Sequence, residues 1–419
     1  MTNQRREDRL HPEEGNQPSR SPFERDRDRV LYSDAFRRLA DVTQVVAANE
    51  GRFFHNRLTH SLKVAQFGRR LTQRLLRDRP SAALSADVVE TACLAHDLGH
   101  PPFGHIAEDE LDEQVKHLAK VEDGFEGNAQ SFRVVTRLAL RRTGVRGLNL
   151  TRATLNAVLK YPWSRTPTKK DGTKWGHYKE DQPSFEFARG LGPRGDARSI
   201  EAEIMDWSDD VTYAVHDMED SYRAGMVPLD QLLAGGAARD SFVDSLEKES
   251  RKRADRFLDA LKHLDVPELH RPFDGSSAQR GTLNWFSSQL INRFILAAKL
   301  KGDTLELPSN ERFEVDTLKL VMKHFVFGHP ALAAQQHGQR RVIRELFTTF
   351  WSAATSSKDH ERKILPVQFR ELLNDASDKT ARARLVADLI AGMTERDAIS
   401  IHQRLTGTAL GTVLDSIWS

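Results

Sequence analysis

The 419-residue sequence holds a single cysteine, Cys93, so no intramolecular disulfide can staple it. It has no apolar run near the ~18 residues of a membrane span. Its N-terminus lacks the apolar core of a secretory signal and carries Glu7, Asp8, Glu13 and Glu14, acids that a mitochondrial transit peptide avoids. These absences point to the cytoplasm, with no membrane partner. Net charge is scarce too. Lys and Arg total 62 against 60 Asp and Glu, leaving +2. A histone-like polycation and a wholly acidic chain are both excluded, and any polyanionic ligand must be gripped by local clusters of basic residues. Strand-like alternation of period 2 is equally rare.

What recurs is helical spacing. From Asp28, Leu31, Ala35, Leu39, Val42 and Val46 step by three or four, as one inward face would. His60, Val64, Phe67, Leu71 and Leu75 form a second stripe, and Val88, Ala92 and Ala95 a third behind a Ser85 cap. Leu283, Phe286, Leu290 and Phe294 continue the pattern in the C-terminal half. The fold reads as all-α, with one or two short hairpins near Gly51 or Lys174. Residues 1–24 mix prolines with charges of both signs and read as a solvated tail. Residues 25–230 read as the main helical core and 231–419 as a C-terminal helical region, with a Gly/Pro-containing stretch around Pro267–Gly281 as a joint. Between Tyr161 and Ser199, nine prolines and glycines interleave with Lys169, Lys170, Lys174 and Lys179. This is a flexible insertion, and long structureless insertions are either functional or plain surface loops.

Chemistry concentrates in the segment His96-Asp97-Leu98-Gly99-His100-Pro101-Pro102-Phe103-Gly104-His105. Gly99 and the proline pair stop a helix just where it reaches a neighbouring His and Asp. Imidazole and carboxylate are donors that first-row divalent ions accept, and two alone cannot close a site. His60, on an inward stripe, is either a third donor or a core histidine bonded to a carbonyl. On a later helix Asp209, Tyr213 and Asp217 repeat every four residues, away from the Ile204, Trp207, Val211, Val215 and Met218 stripe. That polar face is either wet or buried around a cation.

The order His60, His96-Asp97, Asp209 resembles the HD-domain metal phosphohydrolases. Longer strings sharpen the resemblance: Phe23 to Arg29, Ala35 to Leu39, Thr43-Gln44-Val45, Arg57 to Leu62, His96 to His105, Glu126 to Gln130, Leu159 to Pro162 and Ile390 to Thr394 are similar to the deoxyguanosine-triphosphatase-like branch, the dNTP triphosphohydrolases. The likeness is strong over about 25–225 and thinner beyond.

The resemblance implies that His60, His96, Asp97 and Asp209 bind a divalent metal. Asp209 is preferred to Asp210 because Tyr213 and Asp217 then fall at +4 and +8. Mn²⁺, Mg²⁺, Co²⁺, Ni²⁺, Fe²⁺ and Zn²⁺ all suit that donor set. It also implies attack at the α-phosphorus with release of intact triphosphate. His105 and Glu108 would serve as the acid/base pair, and Arg57 and Lys160 would hold phosphates. Tyr213 would sit beneath the deoxyribose, Gln44 and Asp217 would bond the 3′-hydroxyl, and His100 and Asn128 would line the pocket. Relatives assemble as homo-oligomers, often hexamers, and some are activated by dNTPs; single-stranded DNA is a further candidate partner. After Gln44 the chain departs from its relatives over Val45 to Asn49, which leaves the base open. The rival readings are another HD reaction, on 5′-nucleotide monoesters or alarmones, and a non-catalytic dNTP sensor.

Overall fold

The structure, a computed structural model, describes residues 5–13, 19–44, 55–165, 174–327, 330–376 and 378–409. Among them helices carry the fold, and the strands are two three-residue segments, Lys299–Lys301 and Thr304–Glu306, paired antiparallel. The hairpin therefore lies far from both expected places. Lys174 is in coil, and Gly51 falls outside the described residues. Gly302 decides the position, since its φ of 59° is the positive dihedral that a tight hairpin loop requires.

The first helix is Pro22–Leu31, so it begins inside the expected tail. Ser21 Oγ accepts from Glu24 N at 3.1 Å while the Glu24 carboxylate accepts from Ser21 N at 2.7 Å. Pro22 occupies the first turn, where its missing N–H costs nothing. The stripe from Leu31 to Val42 is not one helix either, and Val46 falls outside the described residues. Ser33 caps a new short helix at Asp34–Arg38, followed by a single 3₁₀ turn at Leu39–Asp41. A hydroxyl that can bond the backbone offers it an alternative to continuing the helix.

Residues 5–13 are docked and not a free tail. Arg152 N and Ala153 N donate to the Asp8 and Arg6 carbonyls, and Arg9 pairs with the fully buried Asp26 at 2.6 Å. Asp26 needs that cation, and it also accepts from Thr151 N and Oγ1.

Two apolar cores result. The larger runs from Val30 to Val326 and is built around the helices Arg57–Asp78, Ala86–Ala95, Ile200–Thr212 and Ser277–Ala297. In the smaller, Ala107, Leu111 and Val115 of the His105–His117 helix pack on Phe347 and Phe350 of Pro330–Thr355 and on Ile390 of Lys379–Ala391. The larger core continues through residue 230 to Val326, and the smaller joins residues 103–125 to residues 343–401. The described parts of the insertion, 161–165 and 174–199, are more ordered than their composition suggests, while Lys169 and Lys170 fall outside the described residues. Trp175 and Tyr178 are buried with Ala129, and Gln182–Arg189 is a helix. Arg384 lies 3.5 Å over the Tyr178 ring, so aromatic anchors outweigh the loop-forming residues around them.

The two cores are locked by polar ties. Arg133 reaches Asp388 and Asp181, each at 3.0 Å, and all three are buried. Arg38 donates to the carbonyls of Leu98, His100 and Met393, and Glu395 Oε1 accepts from Thr43 N and Phe103 N. Arg133→Met would strip the buried Asp388 of its cation and leave the buried Asp181 only Arg137, at 3.4 Å. We expect chemical denaturation to show a loss of about 3–5 kcal/mol; a loss under about 1 kcal/mol would mean that the pair does not hold the halves together.

Candidate active site

His60 sits in the first turn of the Arg57–Asp78 helix, whose start is set by Asn56 accepting from Thr59 N at 2.9 Å. His96 is the residue at which Ala86–Ala95 ends, and its Nδ1 lies 2.6 Å from the Cys93 carbonyl. Beyond it the turn is clamped by Ser131, whose Oγ donates to the His96 carbonyl and accepts from Gly99 N. Gly99 has to be glycine, because a Cβ there would lie 2.1 Å from Ser131 N. Asp209 comes from Ile200–Thr212, which continues through a π-turn at Tyr213–Asp217 into Met218–Arg223. Such turns are rare and frequent at functional sites.

The three stretches converge. Asp209 Oδ1 lies 3.1 Å from His60 Nε2 and 3.5 Å from His96 Nε2, and Asp97 Oδ1 lies 3.4 Å from His96 Nε2. Each carboxylate turns its other oxygen to a cation: Asp97 Oδ2 accepts from Arg57 at 2.7 Å and Asp209 Oδ2 from Lys160 at 2.8 Å. Donor atoms of His60, His96 and Asp209 all lie within 4.8 Å of one another, with Asp97 beside that trio. Asp210 is turned away, paired with Lys319 at 2.7 Å.

His96 Nε2 is buried without a hydrogen-bond partner. Because Nδ1 donates to a carbonyl, the neutral form of the ring carries its lone pair on Nε2, aimed at the point the two acids share. Buried polar atoms are seldom left orphaned, and two imidazole nitrogens beside carboxylate oxygens are a donor set for a first-row divalent ion. The electrostatics agree. Burial works against charge here, yet Asp97 and Asp209 raise His96 to about 9. Burial would likewise raise Asp209, but Lys160 and His96 hold it well below the usual carboxylate range. The pocket favours added positive charge.

This cluster opens into a cavity of about 1110 Å³. Gln44, Arg57, His96, Asp97, His100, His105, Asn128, Lys160, Asp209 and Tyr213 line it. His60, Glu108 and Asp217 stand behind that lining. Glu108 Oε2 bonds His105 Nδ1 at 2.8 Å, leaving the rest of the exposed His105 ring free toward the cavity. His100 Nδ1 is 3.1 Å from Asp97 Oδ1, and Asn128 Nδ2 donates to Glu126. Burial first, then Arg57, pushes His100 down to about 3, so its ring is neutral.

The opposite wall was missed by sequence reasoning. Lys252, Arg256, Lys319, Lys323 and Phe313 come from the helices Arg251–Leu264 and Ser309–Phe325, in the C-terminal half. The only available signal was basic residues four apart on apolar-striped helices, a pattern that a solvated face shares. Lys174, from the insertion, also lines the cavity.

Residues 57–214 match the model of the HD domain and residues 305–404 that of the phosphohydrolase-associated domain. A deoxyguanosinetriphosphate triphosphohydrolase-like protein of Streptomyces coelicolor is 40% identical over 95% of this chain and 96% of its own. Proteins of the same name in Corynebacterium efficiens and Caulobacter vibrioides are 38% and 35% identical, covering 94% and 92% of this chain and 92% and 90% of theirs.

Asp209→Ala should weaken Mn²⁺ binding, followed by equilibrium dialysis, by more than the ~10–100-fold typical of outer-sphere changes. Uptake equal to wild type by a variant with unchanged circular dichroism would place the ion elsewhere.

Proposed function

The chain belongs to the deoxyguanosinetriphosphate triphosphohydrolase-like family of HD-domain proteins, and from that premise we propose that it hydrolyses deoxynucleoside triphosphates to deoxynucleoside and inorganic triphosphate. The observation that carries this reading is the orphaned His96 Nε2, facing His60 and two carboxylates at the base of a cation-lined cavity. His60, His96, Asp97 and Asp209 would hold the metal, which when bound lowers the pKa of its water towards about 7 and polarises a phosphoryl oxygen.

The chain's own groups do the rest. Arg57 and Lys160, already fixed on the acids, present positive charge where the triphosphate would lie, and Lys319 extends that charge across the cavity. Water loses a proton and forms the new bond to the α-phosphorus as the bond to the 5′-oxygen breaks, and that proton replaces the one His105 gives up. His105, held at Nδ1 by Glu108, supplies the proton that the leaving oxygen takes. Gln44 Oε1 and Asp217 Oδ2 are both buried without partners, acceptors for a sugar hydroxyl, and Tyr213, which lines the cavity, would narrow the room beneath the ring. Burial and the neighbouring Asp220 raise the Asp217 carboxyl well above the usual range. Homo-oligomeric assembly and activation by dNTPs belong to the same reading.

All four dNTPs, singly and mixed, with Mn²⁺, Mg²⁺ and Co²⁺, should yield triphosphate by chromatography; orthophosphate or pyrophosphate would instead favour the monoesterase or alarmone reading, and tight binding without turnover a sensor. His105→Ala should lower kcat by roughly a hundred- to ten-thousand-fold. A site built to pair a hydroxyl rejects substrates that lack it, so ddGTP should be cleaved far more slowly than dGTP. Equal rates would remove Gln44 and Asp217 from the sugar site.

A further inference from the structure

The geometry points to Lys174 as a positioning residue for the His105–Glu108 pair, one that lets two buried carboxylates share a single ammonium so that Glu108 stays ionised beneath His105. Lys174 Nζ lies 2.8 Å from Glu108 Oε1 and 3.2 Å from Glu126 Oε1. Both acids are buried, Glu126 completely. Buried carboxylates persist as ions only beside a counter-charge, and two that face each other resist ionising together.

The two carboxylates have different work. Glu126 caps the Gly127–Arg133 helix, accepting from Ala129 N at 2.9 Å and from Asn128 Nδ2 at 2.7 Å. Glu108 gives its second oxygen to His105 Nδ1. The other titratable groups facing the pair are His100 in the turn, Asp109 on the Glu108 helix, Tyr161 in the insertion and Tyr178, which bonds the Glu126 backbone. None of these but Lys174 bridges both acids. Burial would raise Glu108, but the His105 hydrogen bond and Lys174 hold it well below its ordinary value, while burial and Glu108 drive Glu126 up to about 7.

Lys174 is delivered by structure and not by a swinging side chain. Its carbonyl accepts from Trp163 Nε1 at 2.9 Å, Trp175 beside it is buried, and a Cβ on Gly176 would stand 2.1 Å from the Tyr161 carbonyl oxygen. The insertion therefore completes the catalytic wall of the cavity.

The kinetic test rests on the hydrolase reading, and the spectroscopic one does not. Full-length wild type, Lys174→Met, Lys174→Arg, Glu126→Gln and the Lys174→Met/Glu126→Gln double variant are compared between about pH 3 and 9 on whichever dNTP the wild type cleaves. Activity needs Glu108 ionised, so it is lost as pH falls through the Glu108 pKa. In Lys174→Met the two acids share a proton, and the acid limb of kcat should move up by about one unit or more with KM within about twofold. Glu126→Gln alone replaces a carboxyl that is already neutral where Glu108 titrates and should leave the limb in place, whereas adding it to Lys174→Met removes the competition for the proton and should bring the limb back; Lys174→Arg should stay near wild type. On substrate-free protein, the ¹⁵N signature of the His105 Nδ1–H bond to Glu108 should disappear at higher pH in Lys174→Met than in wild type. An unmoved limb and an unmoved ¹⁵N signature overturn the inference, as does a KM raised about tenfold or more with an unmoved limb, which would make Lys174 a phosphate ligand. If wild type cleaves no dNTP, the functional reading fails and the ¹⁵N comparison still decides the role of Lys174. Should Lys174→Met not fold, Lys174→Gln in the same two measurements carries the decision.

Discussion

Two carboxylates, Asp97 buried and Asp209 partly so, each shared between an imidazole and a cation, organise this protein. Asp97 and Asp209 offer one oxygen to His96 and the other to Arg57 or Lys160. Charges this deeply buried are costly unless they are closely paired, so every element that contributes one must be held to within a fraction of an ångström. That demand explains the clamps around the site: the Ser131 hydroxyl under the His96 turn, the bare backbone of Gly99, and the Cys93 carbonyl that sets the His96 tautomer.

The same demand draws in the distant C-terminal half. Arg38 gathers the Leu98 and His100 carbonyls with that of Met393, and Glu395 takes the backbone N–H groups of Thr43 and Phe103. Arg133 and Asp388 fasten the helix behind Ser131 to the same region. The phosphohydrolase-associated segment also lines the cavity, where Lys319 and Lys323 join Arg57 and Lys160. The candidate metal donors lie in one half and much of the surrounding positive charge in the other, so the halves depend on each other.

Much of the site was legible in the chain because its parts are local. A histidine on an inward stripe and a His-Asp pair halted by Gly99 and two prolines are short-range patterns, and the Asp209, Tyr213, Asp217 spacing is another. Ser85 caps its helix as its residue type suggests, with Oγ accepting from Val88 N. Readings failed where a distant partner overrode composition. Pro12 and Glu13 look like tail residues until Arg9 finds Asp26 and the segment docks. The insertion looks like loop until Trp175 and Tyr178 are buried. The Leu31 to Val46 stripe looks continuous until Ser33 recaps the backbone.

The sequence by itself determined the all-α class, the residues able to donate to a metal and the ends of the helices that carry them, because periodicity, capping and helix-breaking act over a few neighbouring residues. Only the tertiary structure decided which acids are buried and which cation each receives. Lys174 pairs with Glu108 across 66 positions and Lys319 with Asp210 across 109. Charge pairing depends on distance through space and on exclusion of water, and neither is written in the spacing of residues along a chain.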